Sequence, residues 1–145
     1  MSVVPPSNGY NFVVSAGHEM ATLAAFEILD NGGNAVDAGV ASILTLGVVY
    51  SDQESIAGVS PMIISSGETG ESITIAGLGG WPSALDPDAF IARHNGEIPL
   101  GVRRTVVPAA PDACLQALER FGTMRFRDVA GRAIRCAASG FARHQ

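Results

Sequence analysis

Charge is scarce in this sequence. Asp, Glu, Lys and Arg make up 16% of the 145 residues and aromatics 6%, with two cysteines and a single tryptophan. Nine basic residues stand against 14 acidic ones, a net charge of −5, and the arginines fall singly or in pairs. Without a basic stripe, nucleic-acid binding is not expected. The pair Arg103-Arg104 reads as solvated loop rather than anion site. Cys114 and Cys136, in a chain with no secretory signal, read as buried thiols before they read as a disulfide. His18, His94 and His144 lie far apart without Cys or His at ligand offsets, so no metal site is expected, and no cofactor. The longest apolar stretch, Ala35 to Tyr50, is shorter than the ~20 residues that span a bilayer and is interrupted by Asp37. No membrane span is expected. Met1 to Asn11 has no positive charge ahead of an apolar run, which does not read as a signal peptide and leaves the cytoplasm as the default location. Its prolines, Pro5 and Pro6, suggest an extended lead-in.

What is abundant is small and apolar. Hydrophobic residues reach 47%, with much alanine and glycine, the composition of a closely packed globular chain. One domain, or a piece of one, is expected over residues 1–145. Tyr10 to Ser15 reads as a short strand. His18 to Asn31 has a broad apolar face at helical spacing, and Asn34 to Val49 is apolar nearly all round, the mark of an interior helix. Ser51 to Ser60 is loop. Pro61 to Ser66 and Glu71 to Ala76 form a hairpin around the turn Gly67-Glu68-Thr69-Gly70. Gly77 to Pro82 is a glycine loop. Asp86 and Pro87 open a helix that runs to about His94, and Asn95 to Val107 is loop. Pro111 to Phe121 is a helix closed by Gly122, and Thr123 to Ser139 reads as one last helix capped by Gly140.

The most informative run is Glu27-Ile28-Leu29-Asp30-Asn31-Gly32-Gly33-Asn34-Ala35-Val36-Asp37-Ala38. Glycine takes the left-handed backbone that ends a helix. Asn34 is a good N-cap, and Asp37 at the third helical position can reach back to free N–H groups. The physics gives two packed helices joined by a tight turn, in preference to a direct ligand role.

These residues also resemble the gamma-glutamyltranspeptidase family. Its large subunit carries a short strand, a Ser-His helix start and an EIL-x-x-GGNAVDAAVA junction. Here Val13 to Thr22, Glu27 to Asp37 and Ala41 to Val49 follow that order. Arg120-Phe121-Gly122-Thr123-Met124 is similar to the family's RYGTLPW, and Ala133-Ile134 through Gly140-Phe141 to its AI-x-LA-x-x-GF. The resemblance implies an α+β chain. It would be part of the four-layer αββα sandwich of N-terminal-nucleophile hydrolases, giving outer helices and a short β-hairpin. It also implies an enzyme that transfers or hydrolyses the acyl group of gamma-glutamyl or related amides such as glutathione. Relatives are often exported.

The family's nucleophile is a threonine at the start of a small subunit, freed by self-cleavage, with its own amine as base. Thr22, Thr45, Thr69, Thr74, Thr105 and Thr123 stand in no Thr-Thr-His context, so no catalytic residue is expected here. The partner implied is a small subunit carrying that threonine. The chain then reads as the N-terminal fragment of a large subunit, with Phe141 to Gln145 still tracking a longer relative.

The large subunit's arginine in DGRETAP holds the substrate α-carboxylate, a task suited to a forked guanidinium. The matching stretch is Ala76 to Pro82, and Leu78 stands in the arginine's place. Either another acyl donor is used or another residue holds the carboxylate. The family's glycine-rich run ahead of the hairpin is altered to Ile56-Ala57-Gly58-Val59-Ser60-Pro61. Gly77, Leu78 and Trp81 are the candidate substrate-binding residues. The alternative is an ordinary loop with Trp81 plugging a core edge. For the chain as a whole, the alternative is a catalytically inactive remnant or a non-enzymatic interaction module. Ser15 and His18 are close in sequence but have no orienting acid, so they do not make a catalytic pair.

Overall fold

The computed structural model describes residues 8–142. The proline lead-in before residue 8 and the tail containing His144 lie outside the described residues. Six helices and one two-stranded sheet are described: α1 Glu19–Asp30, α2 Ala35–Val49, β1 Met62–Ser65, β2 Ser72–Ile75, α3 Pro87–His94, α4 Ala110–Phe121, α5 Phe126–Val129 and α6 Gly131–Ser139, with a 3-10 turn at Val102–Arg104. The α+β class expected from the sequence holds. The chain divides into two compact groups, one of residues 1–55 with 115–145, the other of residues 56–114.

The first group is a helical cluster. α2 packs against α1, α5 and α6. Its inward residues Ala38, Val40, Ala41, Leu44, Thr45 and Val49 are buried, against Ala21, Ala24 and Ala25 of α1. Small side chains on both helices let the backbones approach closely, which explains the alanine-rich composition. Thr45 sits fully buried because its hydroxyl donates to the Ala41 carbonyl at 2.7 Å. Cys136 of α6 is buried, as is Cys114 of α4, and both are free thiols. Burial pushes the Cys114 thiol up to about 11.

α1 starts one residue later than expected, because His18 is its N-cap: Nδ1 accepts from the Met20 N–H at 3.1 Å. Its end is a full Schellman motif. The Gly33 N–H donates to Ile28 and the Gly32 N–H to Leu29, with Gly32 at φ +87°. An ion pair ties α1 to α6. Arg132 grips the Glu27 carboxylate through Nε at 2.9 Å and through Nη2, and Arg135 Nη2 adds a contact at 3.3 Å. The Arg132 hydrogen bonds hold Glu27 below the usual carboxylate range, against its partial burial.

Two expectations are corrected. Tyr10 to Ser15 forms no strand: Tyr10 and Asn11 bend, and the segment joins no ladder among the described residues. Val13 there is largely exposed, and a strand exists only where a partner supplies its hydrogen bonds. The single helix over Thr123 to Ser139 is two helices starting later: Arg125 is extended at the start of α5, and α6 restarts at Gly131 after Ala130. Gly131 stands where helix propensity is weakest.

In the second group the hairpin is antiparallel, with Met62 opposite Ile75, Ile63 opposite Thr74, Ile64 opposite Ile73 and Ser65 opposite Ser72. Alternation puts Ile75 inside and leaves Ile63 exposed. α3 begins as expected, with Asp86 capping the Asp88 and Ala89 N–H groups and Pro87 in the first turn. Asn95 at φ 52° ends it.

Candidate functional site

The glycine–asparagine junction is held together by its own hydrogen bonds. Asn34 Oδ1 accepts from the Val36 and Asp37 N–H groups at 2.9 and 3.0 Å, and the Asn34 N–H donates to Asp37 Oδ2 at 2.9 Å, which completes a capping box. The Asn34 side-chain amide also donates to the Phe121 carbonyl at 2.6 Å, closing the end of α4. Asp37 does more than cap. Its carboxylate takes the Thr123 hydroxyl at 2.6 Å and the Thr123 and Met124 N–H groups at 3.0 and 3.1 Å. The side chain is fully buried. Burial pushes its pKa up, but the hydrogen bonds from Thr123, Asn34 and Met124 outweigh that, and it lies below the usual carboxylate range. The two sequence blocks Glu27 to Ala38 and Arg120 to Met124 therefore meet on one carboxylate. Sequence reasoning placed Asp37 correctly as a cap and missed this second role.

The Nδ1 atom of His18 caps α1, accepting from the Met20 N–H. Five threonine hydroxyls are engaged in hydrogen bonds, four within a few residues and Thr123 across the helical group. Thr22 donates to His18, Thr45 to Ala41, Thr105 to Val102 and Thr123 to Asp37, while the Thr69 hydroxyl accepts from the Glu71 N–H. An internal threonine also has no free amine to act as its own base. Among the described residues, no three His, Cys, Asp or Glu side chains gather where a metal ion could be held. No helix among them is long and apolar enough to cross a membrane.

The Gly77 to Trp81 loop leaves the foot of the hairpin. The Ser60 N–H donates to the Gly77 carbonyl at 3.0 Å, one step beyond the ladder. Gly77 has φ +59°, and a Cβ there would lie 2.1 Å from the Ser60 carbonyl oxygen, so both backbone and space require glycine. Two residues on, the Gly79 N–H donates to the Val107 carbonyl at 3.2 Å, and a Cβ on Gly79 would lie 2.5 Å from the Val107 side chain. The loop is thus pinned at both ends of the Gly77-Leu78-Gly79 step. Leu78 is 60% exposed and Trp81 72% exposed. Among the described residues Trp81 plugs no core edge. Val107 as the loop's second anchor was not legible in the sequence.

The gamma-glutamyltranspeptidase family model matches residues 21–145. Glutathione hydrolase proenzyme of Bacillus subtilis (strain 168) is 28% identical over 138 residues, 92% of this chain and 24% of that protein. Acylase ACY 1 proenzyme of Pseudomonas sp. (strain V22) is 30% identical over 146 residues, 94% of this chain and 26% of that protein. The crystal structure of Helicobacter pylori gamma-glutamyltranspeptidase superposes with a TM-score of 0.82 at 24% identity, covering 95% of this chain and 40% of that one. The fold of the described residues is accordingly that of the matching part of this structure. The chain spans about a quarter of the length of these two sequence relatives.

Proposed function

The chain belongs to the gamma-glutamyltranspeptidase family, and from that premise we propose that it is the N-terminal part of the large subunit of an acyl-transferring or amide-hydrolysing enzyme. The observation that carries this reading is the family match from residue 21 to residue 145. The proenzyme names of the two relatives, a glutathione hydrolase and an acylase, support it and set the range of donors. In this reading the nucleophile is a threonine on a small subunit released by self-cleavage. Its hydroxyl oxygen bonds to the acyl carbon while its amine takes the hydroxyl proton, the C–N bond breaks, and the amine product leaves with that proton. Water or an acceptor amine then breaks the acyl ester. Residues 1–145 contribute the helical packing built on Asn34 and Asp37. Gly77, Leu78 and Trp81 contribute one wall of the substrate pocket.

The test is expression of the full-length protein from its gene, followed on a gel, by N-terminal sequencing of any fragment, and by release of p-nitroaniline from acyl-p-nitroanilides. Two polypeptides, the smaller beginning with threonine, together with turnover, are the expected result. A single uncleaved polypeptide without turnover would leave a catalytically inactive remnant or an interaction module.

A further inference from the structure

By the resemblance, Leu78 stands where the family carries an arginine, and the surroundings of Leu78 extend that difference. No charged residue occurs from Ser72 to Leu85, nor from Thr105 to Pro111. Those two uncharged segments are the ones joined by the Gly79–Val107 hydrogen bond. Leu78 and Trp81 on one segment, and Val106 and Val107 on the other, all keep apolar surface in the open. Along the chain, the cations nearest this segment pair are Arg103 and Arg104, and each is tethered elsewhere. Arg103 Nη1 lies 2.9 Å from His94 Nε2, and Arg104 Nη2 donates to the Ile98 carbonyl at 2.6 Å. A donor carboxylate brought against this surface would lose water without gaining a guanidinium, which is unfavourable. An alkyl or aryl group would bury area there at no such cost.

We propose that the Gly77 to Trp81 loop, with Val106 and Val107 against it, receives an uncharged apolar acyl group, so that the preferred donor is an alkanoyl or arylacetyl amide without an α-carboxylate. This rests on the acyl-transfer reading above. Leu78 supplies the specificity, since it removes the charge that would reward a glutamyl donor. Trp81 offers a flat apolar face to the acyl chain.

The experiment uses the full-length protein and two chromogenic donors, gamma-glutamyl-p-nitroanilide and phenylacetyl-p-nitroanilide. The expected kcat/KM favours the phenylacetyl donor by at least about tenfold, as a pocket that cannot pair a buried charge should. Leu78→Arg is expected to narrow or reverse that ratio, and Leu78→Ser to weaken the phenylacetyl donor without helping the glutamyl one, which keeps the test open if the arginine variant does not fold. Trp81→Ala is expected to raise KM for the phenylacetyl donor more than it lowers kcat. A native preference for the gamma-glutamyl donor overturns this inference and leaves acyl transfer standing. An unchanged ratio in every folded Leu78 variant overturns it by placing the loop outside the pocket. Absence of both self-cleavage and turnover of either donor overturns the acyl-transfer reading and this inference together.

Discussion

Asp37 carries a charge where water does not reach. Removing a carboxylate from water costs several kcal/mol unless donors replace the solvent, and here the donors come from Asn34, Thr123 and Met124. Asp37→Asn keeps the shape but turns one acceptor oxygen into an amide donor that faces other donors. The expected loss is about 3 kcal/mol of stability, read as a fall in the urea midpoint with unchanged slope. Thr123→Val removes a single hydroxyl bond to the charge and should cost about 1.5 kcal/mol. The pH dependence follows from the direction of the shift. The folded-state pKa of Asp37 is depressed, so its stabilisation is present above the unfolded value, about 3.9, and is lost as pH falls through the folded value. The wild-type advantage over Asp37→Asn should therefore be full at pH 7 and shrink below pH ~4. Equal differences at pH 7 and pH 3 would show that folding does not lower the pKa of this carboxylate.

At the scale of elements, the long-range ion pair between α1 and α6 is bidentate and should outlast an ordinary surface pair. Glu27 is nonetheless 38% exposed at its side chain, so Arg132→Ala should cost no more than about 1 kcal/mol, diminishing in high salt. A thermal melt of the variant at low and high salt checks this, and a salt-independent loss would mean that the arginine stem packs rather than pairs. The same elements show which parts of the fold are legible in one sequence. The end of α1 and the start of α2 were readable because caps and Schellman glycines act within a few positions of the groups they satisfy. The hairpin and α3 were readable for the same reason, through a turn and an Asp-Pro start. Asp37's second role was hidden because Thr123 lies 86 positions away, and no local pattern reports such a partner. The segment Tyr10 to Ser15 has strand composition, but ladder pairing is a property of two segments and composition describes one. In the candidate site, Leu78 stood out by sequence. The pinning of its loop by Val107 is again a contact between distant segments.

At the scale of the whole molecule, the two groups differ in how well they bury their own apolar residues. The helical group encloses Val40, Ala41, Leu44, Val49 and Val129. In residues 56–114, Ile75 is the one large aliphatic side chain that is buried, while Ile63, Leu100 and Val102 are mostly exposed, as are Leu78 and Trp81. A two-stranded hairpin is marginal by itself in water, and unpaired strand edges invite association. Residues 1–145 expressed alone should therefore bind a hydrophobic dye and show two classes of amide. Those of α1 and α2 should exchange slowly, and those of the hairpin and the glycine loop within seconds to minutes. In the full-length protein the hairpin amides should join the slow class, because strands and helices from the rest of the fold would cover both their edges and their apolar face. Uniform protection and a single sharp melt in residues 1–145 alone would contradict this. The chain would then be a self-sufficient module, and the exposed apolar side chains of residues 56–114 would have to be a binding surface in their own right.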